Sequence, residues 1–569
     1  MMRKGGSYLR EFGWLLVLIL AVFAPFFWQL PLPTTGDQKT YMAQAMEMAA
    51  AGTWLKQTLF GMPNYYKGPL LFVLLRIGFL VFGPLSPAAL IYANIIGYGV
   101  AAWAILKLMA RYLPERRDLG LLAAGATVLS TGAFAHGLAA QMEALLVVVY
   151  AVFTAALGLA DRGEQGTSWR RLAWVMAGTA GLLKSPLHSV LLGSSALIYW
   201  TWTRQWTSLV RRPAEWLSLF LGILVGALPY VVLLSIDHEA FYATYIEREH
   251  LTRGTNQNDL LGAVGPFIGG QLQPFILLLL FGLAAGRRRR PLNADLSLMR
   301  PQLMRLIISV GIPTTLFFAW HHFHSDIYFL PLLAPLSILT ALVVGNLADV
   351  YPRLWFAAKV STAVVLAAVA MLLDLIVARF YPFPDWWAGY RTPVITIALV
   401  VSILSLVLFV IRKDQLRSVY ALLVALVSLY IGTGQLLLGL EAHERAALVS
   451  TTSDLAARPW SRLNLTENLW ADQGLLSVLL QRPIGVVISR AALSQSLTSG
   501  SVLFVIDEAQ LAIVKDEAQS LGRNDLIIRP YHTWRVHGRA ANGQPAWRVA
   551  WDERSMLPLE QTEFAVFLP

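Results

Sequence analysis

The chain has 569 residues, of which 56% are hydrophobic and only 14% are charged, and its mean hydropathy is +0.56. Soluble domains carry about a quarter charged residues, so this composition excludes an ordinary soluble protein and predicts an α-helical polytopic membrane protein. The absence of cysteine excludes disulfides and thiolate–metal sites. The formal net charge of +11 would by itself suggest a nucleic-acid partner. The positions of the basic residues, in short loops between spans, argue against that partner.

Windows of about 20 apolar residues predict about thirteen transmembrane helices. Their ranges are 14–32, 87–111, 118–135, 141–160, 172–184, 186–203, 215–236, 266–286, 302–320, 326–347, 355–379, 392–411 and 418–439. Between the fifth and sixth, Pro186 either ends one helix or kinks a longer one. Segment 69–83 is apolar but short. We interpret it as a re-entrant or interfacial helix, because a span there would invert every later loop.

Arginine-rich loops alternate with loops of other composition along these spans. The arginine-rich set comprises 1–10, 111–117, 162–171, 204–212, 287–300, Arg353 and 412–417. Because positive loops stay on the cytoplasmic side, the N-terminus is predicted to be cytoplasmic, and no nucleic-acid partner is expected. The first loop, 33–86, then lies outside, as does everything after about residue 440. The short arginine-rich loops favour a bacterial inner membrane with its active face in the periplasm.

Composition changes after residue 440, which divides the chain into a transmembrane domain at 1–440 and a C-terminal domain at 441–569. Short β-branched or aromatic segments predict strands at Gly485–Ser489, Val502–Ile506, Leu526–Arg529, Thr533–Val536, Trp547–Ala550 and Phe564–Leu568. Ala492–Thr498 and Ala509–Ser520 are typical of helices. We therefore expect a small periplasmic α/β domain. It has no glycine-rich phosphate loop and no triad, which favours a lid or scaffold over a catalytic unit.

The first loop carries two residues suited to chemistry at the membrane surface. Asp37 follows the first span and opens a stretch whose apolar residues repeat at helical spacing. Its carboxylate is suited to general-base chemistry, although an acid there can also cap the helix. Lys67 follows two tyrosines and precedes Gly68 and an apolar helix. It is a candidate for binding phosphate, and an interfacial anchor is the alternative.

Two further ionisable residues lie at the predicted outer ends of spans. Glu143 begins one helix, and Lys184 closes an almost uncharged run. An ionisable group at membrane depth costs at least about 2.5 kcal/mol and usually faces a polar cavity or a partner. Lys184 is therefore a candidate for holding a phosphate, with snorkelling to the surface as the alternative.

Two outer loops hold further candidates for phosphate or metal binding. Their residue types are arginine for phosphate, and histidine and carboxylate for a metal. The candidates are Arg248, Glu249, His250 and Arg253 in one loop, and His322, His324 and Asp326 in the other. A solvated charged face explains the first loop equally, and a tight polar turn explains the second. The spacing alone does not define a zinc site.

In the first loop, an acid–polar pair and a tyrosine precede a methionine- and alanine-rich stretch that ends near a tryptophan. A Gly-x-Pro turn, an aromatic pair, a lysine and a proline follow. The matching residues are Asp37-Gln38, Tyr41, 46–52, Trp54, Gly61-Met62-Pro63 and 65–70, and further matches are Glu143, 181–184, Glu249-His250 and 325–335. This order resembles the GT-C-type glycosyltransferases that use a polyprenyl-phosphate sugar, including the lipid A aminoarabinose transferases and the protein O-mannosyltransferases.

That resemblance implies a membrane enzyme that moves a sugar from a polyprenyl-phosphate donor to a lipid, glycan or protein acceptor, with inversion. It implies catalytic roles for Asp37 and Glu143. It further implies donor-phosphate binding by Lys67, Lys184, Arg248 and Arg253, and acceptor or sugar binding by Tyr41, Tyr66 and Tyr328. This sequence departs from the family pattern at two positions of the first loop. Gln38 stands where the family has its second acid, and Tyr66 stands where the family has a glutamate before the loop lysine. No cofactor is therefore certain, and a divalent metal is an open alternative.

Two other classes of function are also compatible with the sequence. A transporter or flippase of a lipid-linked sugar would also place cations and acids at one membrane face, but it should show broken helices and related halves. No internal repeat is visible, and no charge lies mid-span apart from Asp374, which is near the outer end of its helix. A non-catalytic scaffold would tolerate changes at Asp37 and Lys67.

Overall fold

The structure is a computed structural model. It describes residues 5–29, 36–65, 67–83, 86–160, 166–205, 213–251, 264–286, 294–320, 326–379, 391–465, 476–477, 480, 484–534, 544–554 and 560–569. The N-terminal helices are α1 (Gly5–Phe23), α2 (Gly36–Ala50), α3 (Leu70–Phe82), α4 (Pro87–Tyr112), α5 (Arg117–Leu129), α6 (Thr131–Gly137), α7 (Met142–Leu159), α8 (Gly166–Leu183) and α9 (Pro186–Trp202). The next are α10 (Pro213–Ile236), α11 (His238–Phe241), a π-helix (Tyr242–Leu251), α12 (Phe275–Gly286), α13 (Ala294–Trp320), α14 (Leu333–Val350), α15 (Pro352–Arg379), α16 (Arg391–Ile411) and α17 (Gln415–Thr452).

Within the described residues, nine helices are long and apolar enough to cross a membrane, or eleven if each of two bent pairs is one span. The predicted class, an integral α-helical membrane protein, is confirmed. The predicted number of about thirteen is not, because α8 and α9 are not among these helices. Lys184 and Ser185 separate these two helices, so the chain breaks before Pro186 rather than kinking. Segment 69–83 forms the short apolar helix α3.

Helix α7 is the centre of the membrane part, because every residue from Met142 to Leu159 is buried. A helix that is apolar on all sides is surrounded either by lipid or by other helices, and here it is surrounded by helices. Helices α4, α8, α13 and α14 pack against it. By contrast, only 39% of the residues in the most apolar stretch of α16 are buried inside the protein, as expected for a lipid-facing helix. The central position of α7 carries Glu143, in its first turn, into the interior.

Two segments that the sequence predicts as continuous helices are bent. Helices α5 and α6 meet at 43°, and the segments 264–271 and 275–285 meet at 107°. Ser130 begins α6 as its N-cap, accepting the N–H of Ala133 at 3.4 Å. Pro274, which has no N–H to continue a helix, precedes the second limb. The two bends touch, since the N–H of Thr131 donates to the carbonyl of Gln273 at 3.0 Å.

Among its described residues, the C-terminal part contains a five-stranded sheet with the helices α18 (Arg490–Thr498), α19 (Glu508–Ser520) and α20 (Ala546–Glu553). Its strands are β3 (Trp460–Leu463), β4 (Gly485–Val487), β5 (Val502–Val505), β6 (Ile527–Trp534) and β7 (Glu560–Phe567), in the order β4-β3-β5-β7-β6. A separate hairpin in the first loop pairs β1 (Thr58–Leu59) with β2 (Met62–Pro63). Strands β3, β4 and β5 are parallel, whereas β7 runs antiparallel to both of its neighbours. The predicted small α/β domain is confirmed.

Three details of that domain differ from the prediction. Residues 547–550 lie in a helix, α20 (Ala546–Glu553), rather than a strand. Ala546 and Ala550, four residues apart, are both buried, and this spacing is helical. The predicted strands 526–529 and 533–536 fall largely on one strand, β6, and the sequence did not predict β3. The predicted boundary at 440 falls inside α17, whose last turns pack against β6, and the division into domains stays a prediction.

Candidate active site

The first loop folds around a carboxylate that fixes a tight turn. In the β1–β2 hairpin, Phe60 and Gly61 both adopt positive φ angles. Glu47, on α2, accepts their two N–H groups at 2.7 and 3.0 Å. Gln44, one turn earlier on α2, donates to Gln57 at 3.2 Å. These bonds hold the chain that leads to residues 65–69.

Asp37 lies in the first turn of α2, which begins at Gly36 as the spacing of the apolar residues indicates. The buried ring of Tyr41, on the same helix, packs edge-on to Phe72 of α3 at 5.9 Å. The side chain of Asp37 is not among the described ones, so the choice between helix cap and general base stays a prediction.

The lysine of the first loop lies beside the break between α8 and α9. The N–H of Gly68 donates to the carbonyl of Lys184 at 3.3 Å. A Cβ atom at position 68 would lie 2.1 Å from the carbonyl oxygen of Leu182, so only glycine allows this approach. Lys67 is 8% exposed. Two lysines that are far apart in the sequence are therefore neighbours in the fold.

Lys184 forms a buried ion pair with Glu143. Its Nζ donates to Oε1 of Glu143 at 2.7 Å, and the two side chains are 10% and 4% exposed. The ring of Tyr328 lies 4.4 Å from the same Nζ, within the range of a cation–π contact. The ring of Phe318 stacks on that of Tyr328, with 5.3 Å between the ring centres. Lys184 is thus held in the interior, and the snorkelling alternative is wrong.

Two histidines that the sequence analysis did not single out lie near this pair. Nδ1 of His136 is 2.7 Å from Oε1 of Gln141, just before α7. Nδ1 of His188, in the first turn of α9, is 3.2 Å from the hydroxyl of Tyr150. Both rings are buried. A lone histidine in an apolar segment is the signal that marks them, and by itself it is more typical of a core residue.

An apolar groove of about 670 Å³ runs between α8, α9 and α10, and Pro186, two residues after Lys184, is part of its lining. Its lining includes Ala177, Gly178, Pro186, Val190, Gly222, Gly226, Ala227 and Val231. Gly178 and Gly222 let α8 and α10 approach closely, because a Cβ at 178 would lie 2.3 Å from the carbonyl oxygen of Gly222. Tyr230, Phe241 and Tyr245 form part of the groove wall, and the Tyr230 hydroxyl donates to the carbonyl of Gly181 at 2.7 Å.

The first loop is joined to the groove wall through Tyr65. Its hydroxyl donates to Oδ2 of Asp237 at 2.6 Å, and Lys56 lies 3.5 Å from the same oxygen. The Tyr65 ring packs against Phe241 at 5.4 Å. Burial, together with the hydrogen bond to the Asp237 carboxylate, raises the pKa of Tyr65. The protonated, donating form is therefore the stable one near neutral pH.

The remaining predicted residues lie outside the described part of the chain, wholly or in their side chains. Tyr66, Arg253, His322 and His324 lie outside it altogether. Arg248, Glu249 and His250 fall in the π-helix and Asp326 opens a short 3₁₀ helix, with side chains that are not described. Among the described residues, no group of three or more His, Asp or Glu side chains could hold a metal ion. The predicted metal ligands stay a prediction.

The sequence matches no protein-family model and no curated protein. The structure, however, is similar to the crystal structure of ArnT from Cupriavidus metallidurans bound to undecaprenyl phosphate. The TM-score is 0.67 at 16% identity, over 97% of this chain and 98% of that one. Against ArnT from the same organism in the apo state, the TM-score is 0.65 at 17% identity, over 88% and 94% of the two chains. The fold expected from the sequence resemblance, a polytopic α-helical membrane fold with a small C-terminal domain, is confirmed, and it is similar to the fold of ArnT.

Proposed function

We propose that this protein is a membrane glycosyltransferase that moves a sugar from a polyprenyl-phosphate donor to a lipid, glycan or protein acceptor. The observation that carries the proposal is the buried Glu143–Lys184 pair, together with an apolar groove whose lining includes Pro186, two residues after Lys184. An amphiphilic donor needs both features, an apolar channel for its tail and a cation for its phosphate. The similarity in fold to a protein solved with undecaprenyl phosphate supports the same reading.

The groove between α8, α9 and α10 would hold the polyprenyl tail. Its lining is almost entirely apolar, and Pro186, two residues after Lys184, forms part of it. A tail lying there would bring its phosphate to the break between α8 and α9. The tail would enter from the lipid rather than from water, so close packing against the groove lining would supply affinity, while the polar end supplies position.

Lys184 and Lys67 would bind the donor phosphate, with Arg248 and Arg253 as further candidates from the outer loop. When the bond from the sugar to the phosphate oxygen breaks, negative charge builds on the leaving polyprenyl phosphate. A cation in a site of low dielectric stabilises such charge far more than it would in water. Loss of one such donor typically lowers kcat about 10²–10³-fold.

The reaction would be a single displacement with inversion. The acceptor oxygen attacks the anomeric carbon, the bond from that carbon to the phosphate oxygen breaks, and polyprenyl phosphate leaves with the electron pair. The proton of an acceptor hydroxyl passes to the carboxylate of Asp37 as general base. An acceptor phosphate is already anionic, and Asp37 would then position it. No nucleotide takes part.

Glu143 would position Lys184 rather than exchange a proton itself. Its Oε1 already accepts from Nζ of Lys184 at 2.7 Å, and the ring of Tyr328 confines the ammonium group from another side. This is a narrower role than the catalytic one implied by the sequence resemblance. Tyr41, Tyr66 and Tyr328 are proposed to contact the acceptor or the sugar, and a divalent metal bound by loop residues is compatible with this scheme.

The proposed location is a bacterial inner membrane, with the N-terminus in the cytoplasm and the site in the periplasm. The arginine-rich ends of the spans support this orientation. Arg116 pairs with Asp118 and Asp349 at 2.9 and 2.6 Å at the end of the bundle that is predicted to be cytoplasmic. Modification of lipid A or another cell-envelope glycolipid would fit this placement.

A flippase of a lipid-linked sugar is the second candidate, because the structure has two bent helix pairs that touch. Broken helices at a junction are typical of transporter binding sites. At this junction the bond joins Thr131 and Gln273, both uncharged, whereas a phosphate needs a cation. The cation lies instead at Lys184, at the end of α8, which favours the transferase.

The test is transfer of radiolabel from a panel of polyprenyl-phosphate sugars to membrane acceptors by purified protein in nanodiscs. Wild type is compared with Asp37→Asn and Lys184→Met. The matched controls are Asp516→Asn and Lys413→Met, at exposed positions outside the site. A covalent product that both site variants lose and both controls keep supports the proposal. If the donor moves from one leaflet to the other and no new product forms, the protein is a flippase. If no donor in the panel is either transferred or moved, a scaffold is favoured.

A further inference from the structure

The end of membrane helix α15 holds the end of a helix in the C-terminal domain. Nε of Arg379, the last residue of α15, donates to the carbonyl of Trp551 at 2.9 Å, and its Nη2 lies 3.4 Å from the carbonyl of Asp552. The guanidinium also lies 5.5 Å from the centre of the Trp551 ring. A cation is favoured at the C-terminal end of a helix, where carbonyls lack partners. Arg379 thereby fixes α20 beside the membrane-spanning bundle.

The height of this contact relative to the lipid follows from α15 itself. Met371, Leu372 and Leu375 are at least half exposed, as expected of residues that face acyl chains. Asp374 is exposed on the same side of the helix, and a carboxylate is costly in the hydrocarbon, so its level marks the start of the headgroups. Arg379 lies five residues, or about 7.5 Å, further along. The headgroup layer on each side is itself about 5–7.5 Å thick, so Arg379 lies at its outer edge.

Helix α20 presents an aromatic and basic face at that level. Trp547 is 55% exposed and lies four residues before Trp551, so the two rings share one face of the helix. Arg548 is exposed beside them. A neighbouring face, about 100° around the helix, is held in the domain by Ala546 and Ala550. Tryptophan and arginine are the residues enriched where protein meets lipid headgroups.

We propose that α20 is a membrane-contacting surface, through which the C-terminal domain rests on the lipid headgroups around the end of α15. The partner is the bilayer itself. A single exposed tryptophan on a soluble domain is ordinary, and Trp547 alone would carry nothing. Its place, one helical turn from a contact with the end of a membrane helix, selects lipid as the occupant. The surface is continuous with the lipid-facing stripe of α15, and it does not depend on the proposed transferase activity.

The absence of cysteine from the natural chain allows a direct test. Single cysteines are introduced by Trp547→Cys, Met371→Cys and Gln519→Cys, labelled with a nitroxide, and placed in phospholipid nanodiscs. Met371 is the lipid-facing reference, and Gln519, exposed on α19, is the water-facing one. Electron paramagnetic resonance then gives the accessibility of each label to oxygen, which concentrates in lipid, and to a water-soluble nickel chelate.

We expect the oxygen-to-nickel ratio at 547 to lie well above that at 519 and below that at 371, as for a label among the headgroups. A ratio equal to that at 519 would overturn the proposal, because the label would then be in water. Low accessibility to both reagents would also overturn it, since another protein surface would then cover Trp547. If Trp547→Cys fails to fold, Arg548→Cys replaces it, with an expected ratio between those of the two references and the same outcomes against the proposal.

Discussion

Lys184 donates a 2.7 Å hydrogen bond to Glu143, and the two side chains are 10% and 4% exposed. Each belongs to a different helix and lies at its end, Glu143 in the first turn of α7 and Lys184 just after α8. Two opposite charges in such an environment stabilise each other only while both are present. The pair therefore has a structural role, the proposed function adds a chemical one, and the two can be separated by experiment.

The structural role predicts strong coupling between the two positions. Glu143→Gln and Lys184→Met each leave a buried charge without its partner, which costs about 3–5 kcal/mol. The double variant removes both charges, and we expect it to be more stable than the sum of the single effects implies, by about 1–3 kcal/mol. Apparent melting temperatures of the four proteins in the same detergent measure this. Additive losses would show that the pair contributes no coupling.

The chemical role predicts that kinetics and stability respond differently. We expect Lys184→Met to lower kcat for transfer about 10²–10³-fold, because the leaving phosphate loses its cation. The double variant Glu143→Gln/Lys184→Met should regain stability but not activity. Single-turnover transfer with saturating donor tests this, with Lys413→Met as the matched control. Activity that returned together with stability would leave Lys184 a purely structural role.

Gly68 predicts a second, independent sensitivity. A Cβ atom there would lie 2.1 Å from the carbonyl oxygen of Leu182, so Gly68→Ala must push the first loop away from the break between α8 and α9. We expect a loss of about 1–3 kcal/mol and a marked fall in transfer, because Lys67 moves with its neighbour. Gly13→Ala is the control, since nothing lies within 4 Å of a Cβ there. If both variants behave like wild type, the close approach is absent in the membrane.

The sequence predicted what depends on local pattern. The apolar windows located the membrane helices, and Glu143 and Lys184 were recognised because each is charged at the end of an apolar run. Their pairing could not be predicted, since 41 residues separate them and contact depends on how α7 and α8 pack. The bend at Ser130 was missed because its side chain can cap a new helix without interrupting the apolar pattern. The strand predicted over 547–550 failed because four residues are too few to distinguish helical from strand spacing.

Tyr65 predicts a pH-dependent contribution to stability. Its pKa is raised in the folded protein, by burial and by the bond to Asp237, from an ordinary value of 10.0. The stabilisation is therefore fully present below pH 10 and is lost as the pH rises towards the folded pKa. Tyr65→Phe should cost about 1.5–3 kcal/mol at pH 8, as for a hydrogen bond to a charged group. The difference in apparent melting temperature from wild type should narrow by pH 10.5, and a constant difference would contradict this.

The groove predicts that donor affinity depends on tail length. Ala227 lines the groove and its side chain is exposed there, so Ala227→Trp fills space without disturbing a packed core. We expect KM for a long-chain polyprenyl-phosphate sugar to rise more than about tenfold, which corresponds to about 1.4 kcal/mol of lost binding. A short-chain analogue, whose tail does not reach position 227, should be affected much less.

The control is Ala368→Trp, at an exposed position of α15 outside the groove. It adds the same side chain to the lipid-facing surface and should leave KM for both substrates unchanged. Equal effects of Ala227→Trp on both substrates would mean that the tail binds elsewhere, since a blocked channel must discriminate by length.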